Sequence, residues 1–475
     1  MDQPTTFFAW VTLVVGVAIL LRNTNGRRGS FVAPFNIAVL IIVSIYGIRP
    51  LFNAADNSHL LYGRSSQEGF VEATLVGLVA LASLTLGYLV TRKRRQVIYP
   101  DEVDHPAPDV RYSMYRAAMF SFGLTGVWVL LVSSRGGGFE FINIVFQGRQ
   151  DSTDAALQGM PQIVGALPTA GAVLVAAVAV VTQRERRLYF GERWAFRLGI
   201  LVSIIPPMAL GSRRYLLPCL IVWAIAATAP RYTRRIKVWH VAVGLVGFVF
   251  LAITPFVRSA GSRATGGNLV TATIEYVRSV GVVESVRPFF TSYDTEMFNY
   301  VALLATRLNE ASDFGWGRGT LRDSLLNPFP ASMMPMPTWS DQLLIEIYGG
   351  TCGRGSVCPV PSFAGVLYYD LWFPGVILGS FFLGYLARRY PTWLATTVRW
   401  RLVLCVGLAG FTPVLIRGNI VNVGYIAGLA IGVAAFLFAC CAGRMPSPAE
   451  NHRFERVGLR DSSSPPIMVR LGRRF

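Results

Sequence analysis

Arginine is the residue type whose placement most needs explaining in this chain. Gly211-Ser212-Arg213-Arg214-Tyr215 sets two guanidinium groups side by side between two apolar runs. Charge at the edge of such a run is costly unless it meets water, lipid headgroups or an anion. Two readings stay open. The pair snorkels to phospholipid phosphate, or it grips a diphosphate, whose oxygens the planar donor fork matches bidentately. Arg135, Arg149, Arg258, Arg263 and Arg417 also stand at or near the ends of apolar runs, on the same side as that pair by the topology given below. Guanidinium groups at several helix mouths would form an electropositive cleft at a membrane surface, suited to a lipid-linked anion. Arg278, Arg287, Arg307, Arg318, Arg322 and Arg354 fall in one long loop, where solvated surface is the default reading.

A carboxylate can act as general base toward an acceptor hydroxyl. Glu140, Asp151, Asp294, Glu296, Asp313, Asp341, Glu346 and Asp370 lie on that same side, and Asp370, Asp294 and Glu296 are the favoured candidates. No pair has a diagnostic spacing, and an Asp-x-Asp metal motif is missing from these loops. Histidine is a poor candidate base: His105, His240 and His452 fall on the opposite side, and His59 lies in an early loop. Phe314-Gly315-Trp316-Gly317-Arg318-Gly319, followed by Asn327-Pro328-Phe329-Pro330, puts flexible backbone beside rings. Trp316 and its neighbours either stack on sugars or simply pack the loop.

The elements that must position these residues are membrane helices. Of 475 residues, 53% are hydrophobic and 15% charged, well below the roughly 25% charged of soluble domains. Apolar runs at 7–21, 31–48, 70–90, 113–133, 161–182, 195–211, 215–230, 238–257, 365–387, 402–416 and 420–441 give about 11 candidate transmembrane helices. Basic clusters (Arg22/Arg27/Arg28, Arg92–Arg95, Arg184/Arg186/Arg187, Arg231/Arg234/Arg235/Lys237 and Arg388/Arg389) each follow an odd-numbered run. Cytoplasmic placement of those clusters puts the N-terminus out and the C-terminus in. The fold expected is thus an all-α polytopic membrane protein, residues 1–441 forming one membrane domain with a long outer loop at 258–364 that holds short helices. One such helix is expected over Leu269–Val283. Residues 442–475 read as a disordered basic cytoplasmic tail. The run Phe7–Leu21 lacks a basic n-region and cleavage site, and reads as a first span rather than a leader.

The net charge of +18 does not point to nucleic acid, because the basic residues sit in short runs between spans and act as orientation signals. Only Lys93 and Lys237 are lysines among 44 basic residues, a bias that a GC-rich genome accounts for. Cys352 and Cys358, in Cys352-Gly-Arg-Gly-Ser-Val-Cys358, are the two cysteines of the outer loops, and they either pair in an oxidising compartment or stay as thiols. Cys219, Cys405, Cys440 and Cys441 are apolar filler in or at the ends of spans, with acylation open for the last two.

Phe314–Pro337, with Phe-Gly-Trp-Gly-Arg-Gly-Thr-Leu, then Pro-Phe-Pro and Met-Pro-Met-Pro, resembles the long outer loop of O-antigen and exopolysaccharide repeat-unit polymerases. Pro361-Ser362-Phe363 and Tyr368-Tyr369-Asp370-Leu371-Trp372-Phe373-Pro374-Gly375-Val376 are similar to that family's approach to the next span. Gly211-Ser212-Arg213-Arg214 is similar to a Ser-Arg pair in the polymerases and the related O-antigen ligases, and Gly148-Arg149 fits the second-loop arginine. The resemblance covers roughly 110–390 and is diffuse. It implies a metal-independent membrane glycosyltransferase in the bacterial cytoplasmic (inner) membrane. Such an enzyme joins undecaprenyl-diphosphate-linked oligosaccharides on the outer face, alongside membrane lipids, a chain-length regulator and a flippase. On that reading Arg213 and Arg214, with Arg135, Arg149, Arg258, Arg263 and Arg417, bind the leaving diphosphate, while Trp316 and Arg318 meet the substrate. The related ligases carry a functional histidine in the large outer loop, and none stands between 258 and 364, which favours a polymerase. A lipid-linked glycan flippase or transporter, a ligase-like transferase and a non-catalytic scaffold are the rival readings. For transport, Arg116 and Pro206-Pro207 are the hints within the spans.

Overall fold

The computed structural model describes residues 3–25, 32–56, 60–61, 64–90, 110–134, 162–209, 213–228, 269–281, 284, 297–308, 314–326, 361–394, 399–418 and 420–444. Helix dominates: α1 (Gln3–Asn25), α2 (Pro34–Val43), α3 (Arg49–Asp56), α4 (Phe70–Val90), α5 (Met114–Val132), α6 (Gln162–Glu185) and α7 (Phe190–Ala209) come first. They are followed by α8 (Arg213–Thr228), α9 (Leu269–Val280), α10 (Met297–Ala305), α11 (Asp323–Leu326), α12 (Phe363–Leu394), α13 (Arg399–Arg417) and α14 (Ile420–Cys440). Two short antiparallel ladders complete the set: β1 (Leu60–Leu61) with β2 (Arg64–Ser65), and β3 (Val110–Tyr112) with β4 (Ala442–Arg444).

Eight helical stretches among the described residues are long and apolar enough to cross a membrane. The chain is therefore a multi-pass helical membrane protein, since a helix satisfies its own backbone groups in lipid. α7, with Glu192, Arg193 and Arg197 near its start, and the 16-residue α8 stand outside those eight. Ten of the expected runs coincide with helices, and 238–257 lies outside the described residues. The tail expected from 442 onward begins with a strand, because residues 442–444 find backbone partners on β3.

Proline shapes the rods. Pro50 has no N–H for the carbonyl of Tyr46, and the joint between α2 and α3 widens into a π turn over Ser44–Ile48, where Arg49 N–H reaches Ser44 O. Three apolar cores form among the described residues. One joins α5–α8, α13, α14 and the far end of α12; a second joins α2, the π turn, α4, α10 and α12 from Ala364 to Ala387. A small third holds Tyr300, Leu303, Leu304, Val366 and Tyr369. Phe7, Trp10, Val14, Leu86, Met119, Leu130, Phe382 and Phe436 face outward, as lipid-exposed side chains do. α4 and α12 run parallel: Glu72 meets Tyr368, and the Arg388 guanidinium lies 5.1 Å from the Tyr88 ring centre. A Cβ on Gly87 would strike the carbonyl of Phe381, and one on Gly384 that of Leu84, so these small residues let the two backbones touch.

Terminal contacts sort the helices into two ends. Phe35 stacks on Tyr88, Asn23 donates to Asn36, Gln183 donates to Ala226 O and Cys405 reaches Tyr390 O. Together with the β3–β4 ladder these define a basic end, where Arg22, Arg184, Arg186, Arg187, Arg388, Arg389 and Arg401 stand. At the opposite end Asn53 donates to Asn299, Tyr46 pairs with Ser362 at 2.6 Å and Thr169 donates to Tyr215 O. The chemistry-bearing residues gather there.

Candidate functional site

One proline starts the site. Pro374, inside α12, offers no N–H to the carbonyl of Asp370 four residues back, and its ring crowds that turn. The helix breaks: Leu371 (φ −142°, ψ 23°) and Trp372 (φ 52°, ψ −147°) leave helical space. Freed carbonyls must find other donors. Those of Tyr369 and Asp370 accept the N–H groups of Gly315 and Trp316, each at 2.9 Å. The Asp370 carboxylate, 2% exposed, completes the junction. Its Oδ1 accepts Gly319 N–H at 2.7 Å and its Oδ2 the Thr320 hydroxyl at 2.6 Å. Segment 314–326 is thereby tied to α12. Gly315 is required by this close approach, because a Cβ there would collide with the Tyr369 ring. Gly317 supplies a φ of 87° just before the π turn Arg318–Arg322.

Beside this junction lies a carboxylate that the sequence reading does not single out. Glu72, in the first turn of α4, accepts the Tyr368 hydroxyl and, at 3.3 Å, the Trp372 indole N–H, both on Oε1. The Phe314 ring sits 6.5 Å from that of Tyr368 and 6.4 Å from that of Trp372, and Phe373 lies 5.2 Å from Trp372. An ionisable residue one turn into an apolar run was the signal available in the sequence.

Of the sequence candidates, Trp316, Arg318 and Asp370 come together in this junction. Trp316 is exposed, with φ 48°, and Arg318 is exposed at the head of the π turn. Arg417 ends α13 at the same end of the bundle, partly buried. Arg214 is exposed at the start of α8 with its guanidinium 5.0 Å from the Tyr215 ring centre. Arg213 opens α8, and its side chain lies outside the described residues. Arg135, Arg149, Arg258, Arg263, Asp294, Glu296, Cys352 and Cys358 also lie outside them.

Two further arginines belong to this end. Arg49, at the π turn of the second span, is 2% exposed. Arg322, partly buried, lies 3.5 Å from Asp323. Between the docked segment and α14 a cavity of about 260 Å³ is lined by Thr320, Ser324, Ile420, Val421, Gly424 and Tyr425. Hydroxyl groups thus face an apolar wall, close to Arg417 in sequence and Arg322 in the segment. The cavity offers hydroxyl groups and an apolar wall to a ligand, and the neighbouring junction offers a carboxylate and flat rings. Compared with protein-family models, with curated proteins and with solved structures, the chain matches none.

Proposed function

We propose that the protein is a membrane glycosyltransferase that joins undecaprenyl-diphosphate-linked oligosaccharide repeat units into polysaccharide on the outer face of a bacterial cytoplasmic membrane. The observation that carries this reading is the docking of segment 314–326 onto broken α12, which gathers Trp316, Arg318, Arg322 and Asp370 beside Glu72. The basic clusters at the opposite end of the bundle favour that other end as cytoplasmic. Thr228 and Phe363 lie at opposite ends, and the sequence between them holds the apolar run 238–257, of a length for one span. That supports the count of eleven spans, with the N-terminus out and the C-terminus in.

In this reading Arg213, Arg214, Arg417 and Arg322 receive the diphosphate as the bond from the sugar's anomeric carbon to its oxygen breaks. Charge stabilisation there lowers the barrier without a proton donor. Asp370 has both carboxylate oxygens engaged and acts as a positioning residue for the segment. The acceptor hydroxyl loses its proton to a carboxylate, with Asp294 and Glu296 as candidates from the sequence, and its oxygen bonds to the anomeric carbon that the diphosphate leaves.

A second reading, a lipid-linked glycan flippase, is favoured by the broken span α12 and the buried Arg49, both usual in transporters. Reconstitution with lipid-linked repeat units separates the two. A ladder of lengthened chains supports the polymerase; movement of intact substrate across the bilayer with no new bond supports the flippase.

A further inference from the structure

Glu72 and Asp370 differ in what their oxygens still have to give. Both oxygens of Asp370 accept from the docked segment. Glu72 accepts two donors on Oε1, while Oε2 accepts from no side chain or backbone group among the described residues. A carboxylate with one oxygen fixed and the other open is aimed but not consumed. Its holders are aromatic, and they extend outward. Trp372 is 47% exposed and Trp316 68%. These two are also the only non-glycine residues of positive φ among the described residues. Each such backbone is strained and persists where surrounding contacts impose it. A tryptophan of the membrane interface accounts for exposure. It does not account for two tryptophans of strained backbone flanking one hydrogen-bonded junction, one of them donating its indole N–H to a carboxylate inside a span.

We propose that Glu72, Trp372 and Trp316 form a saccharide subsite. A neutral pyranose stacks its C–H face on an exposed indole and donates a hydroxyl to Glu72 Oε2. Tyr368 is the positioning residue that fixes the carboxylate. The inference rests on the glycan reading above and names the part of that site that takes the acceptor sugar.

Saturation-transfer NMR on the full-length protein in nanodiscs tests it, with the methyl glycosides of glucose, galactose, mannose and rhamnose as probes. At least one is expected to receive saturation, strongest at its ring C–H protons. Glu72→Ala and Trp372→Ala are each expected to weaken that binding about tenfold, the scale of one good polar or stacking contact. Trp10→Ala, on the lipid-facing surface, is expected to leave binding unchanged. Tyr368→Phe keeps the ring but removes one of the two donors that fix the carboxylate, and is expected to weaken binding even if the other variants fold poorly. Absence of binding by all four glycosides overturns the proposal. So does wild-type binding by folded Glu72→Ala and Trp372→Ala proteins. Chain extension is scored separately. Sugar binding without extension leaves the subsite standing and removes the polymerase reading; extension together with unaltered sugar binding in these variants removes the subsite alone.

Discussion

Asp370 carries the most tightly specified interactions at the site, and its replacement has a defined consequence. A buried carboxylate that accepts a backbone N–H and a hydroxyl contributes roughly 1.5–3 kcal/mol per bond, and its loss also strands the donors. Asp370→Ala is expected to lower the unfolding temperature and to open segment 314–326 to protease. Asp370→Asn, which keeps an acceptor oxygen, is expected to be milder. An unchanged cleavage pattern in both would remove the docking role. At the basic end, Arg186 grips Glu192 through two bonds of 2.7 and 2.6 Å, and Tyr189 N–H adds a third at 2.9 Å. The fork of Arg186 holds the Glu192 carboxyl below its ordinary 4.5. A depressed value in the folded state means stability that is present above about pH 4.5 and lost as pH falls through the lower folded value. Wild type is therefore expected to exceed Glu192→Gln in unfolding temperature at neutral pH, with the gap closing below pH 4.5. A gap that does not narrow as the pH falls below 4.5 would contradict the ion-pair account.

Elements act here through their interruptions. Pro374 turns what would be one straight rod into a half-helix whose carbonyls receive another segment. Pro374→Ala is expected to let α12 close its own ladder, returning the Asp370 carbonyl to residue 374 and releasing Trp316 N–H. Circular dichroism would then register no loss of helix while amide exchange at 315–320 quickens and activity falls. Retained protection at Gly315 and Trp316 would show that the junction forms without the break. The π turn before Pro50 works the same way, widening the second span where Arg49 emerges. Both breaks lie at the end of the bundle that bears the site.

At the scale of the whole molecule, the spans were legible because twenty apolar residues in a row leave little choice but a buried or lipid-facing helix. Gly315, Trp316, Arg318 and Asp370 were legible as candidates by residue type. Their meeting was not, since it depends on backbone carbonyls released by Pro374, an event that leaves no pattern of side chains. Glu72 and Arg49 hide for a related reason: a single charge at the rim of an apolar run hardly changes the run's average. Sidedness has its own check. In a background without native cysteines, Ser324→Cys is expected to react with an impermeant maleimide on intact cells, and Tyr189→Cys only after permeabilisation. The reverse pattern would invert the topology and place the site in the cytoplasm.

Chain growth is the direct test. Purified protein reconstituted with undecaprenyl-diphosphate-linked repeat units is expected to yield a ladder of lengthening glycans. Arg417→Gln and Arg322→Gln should each slow each addition about a hundredfold or more, as loss of one charge-stabilising donor does, and the lysine variants should recover part of the rate. No new glycosidic bond from the wild-type protein, or a ladder that these arginine variants leave untouched, would contradict the account.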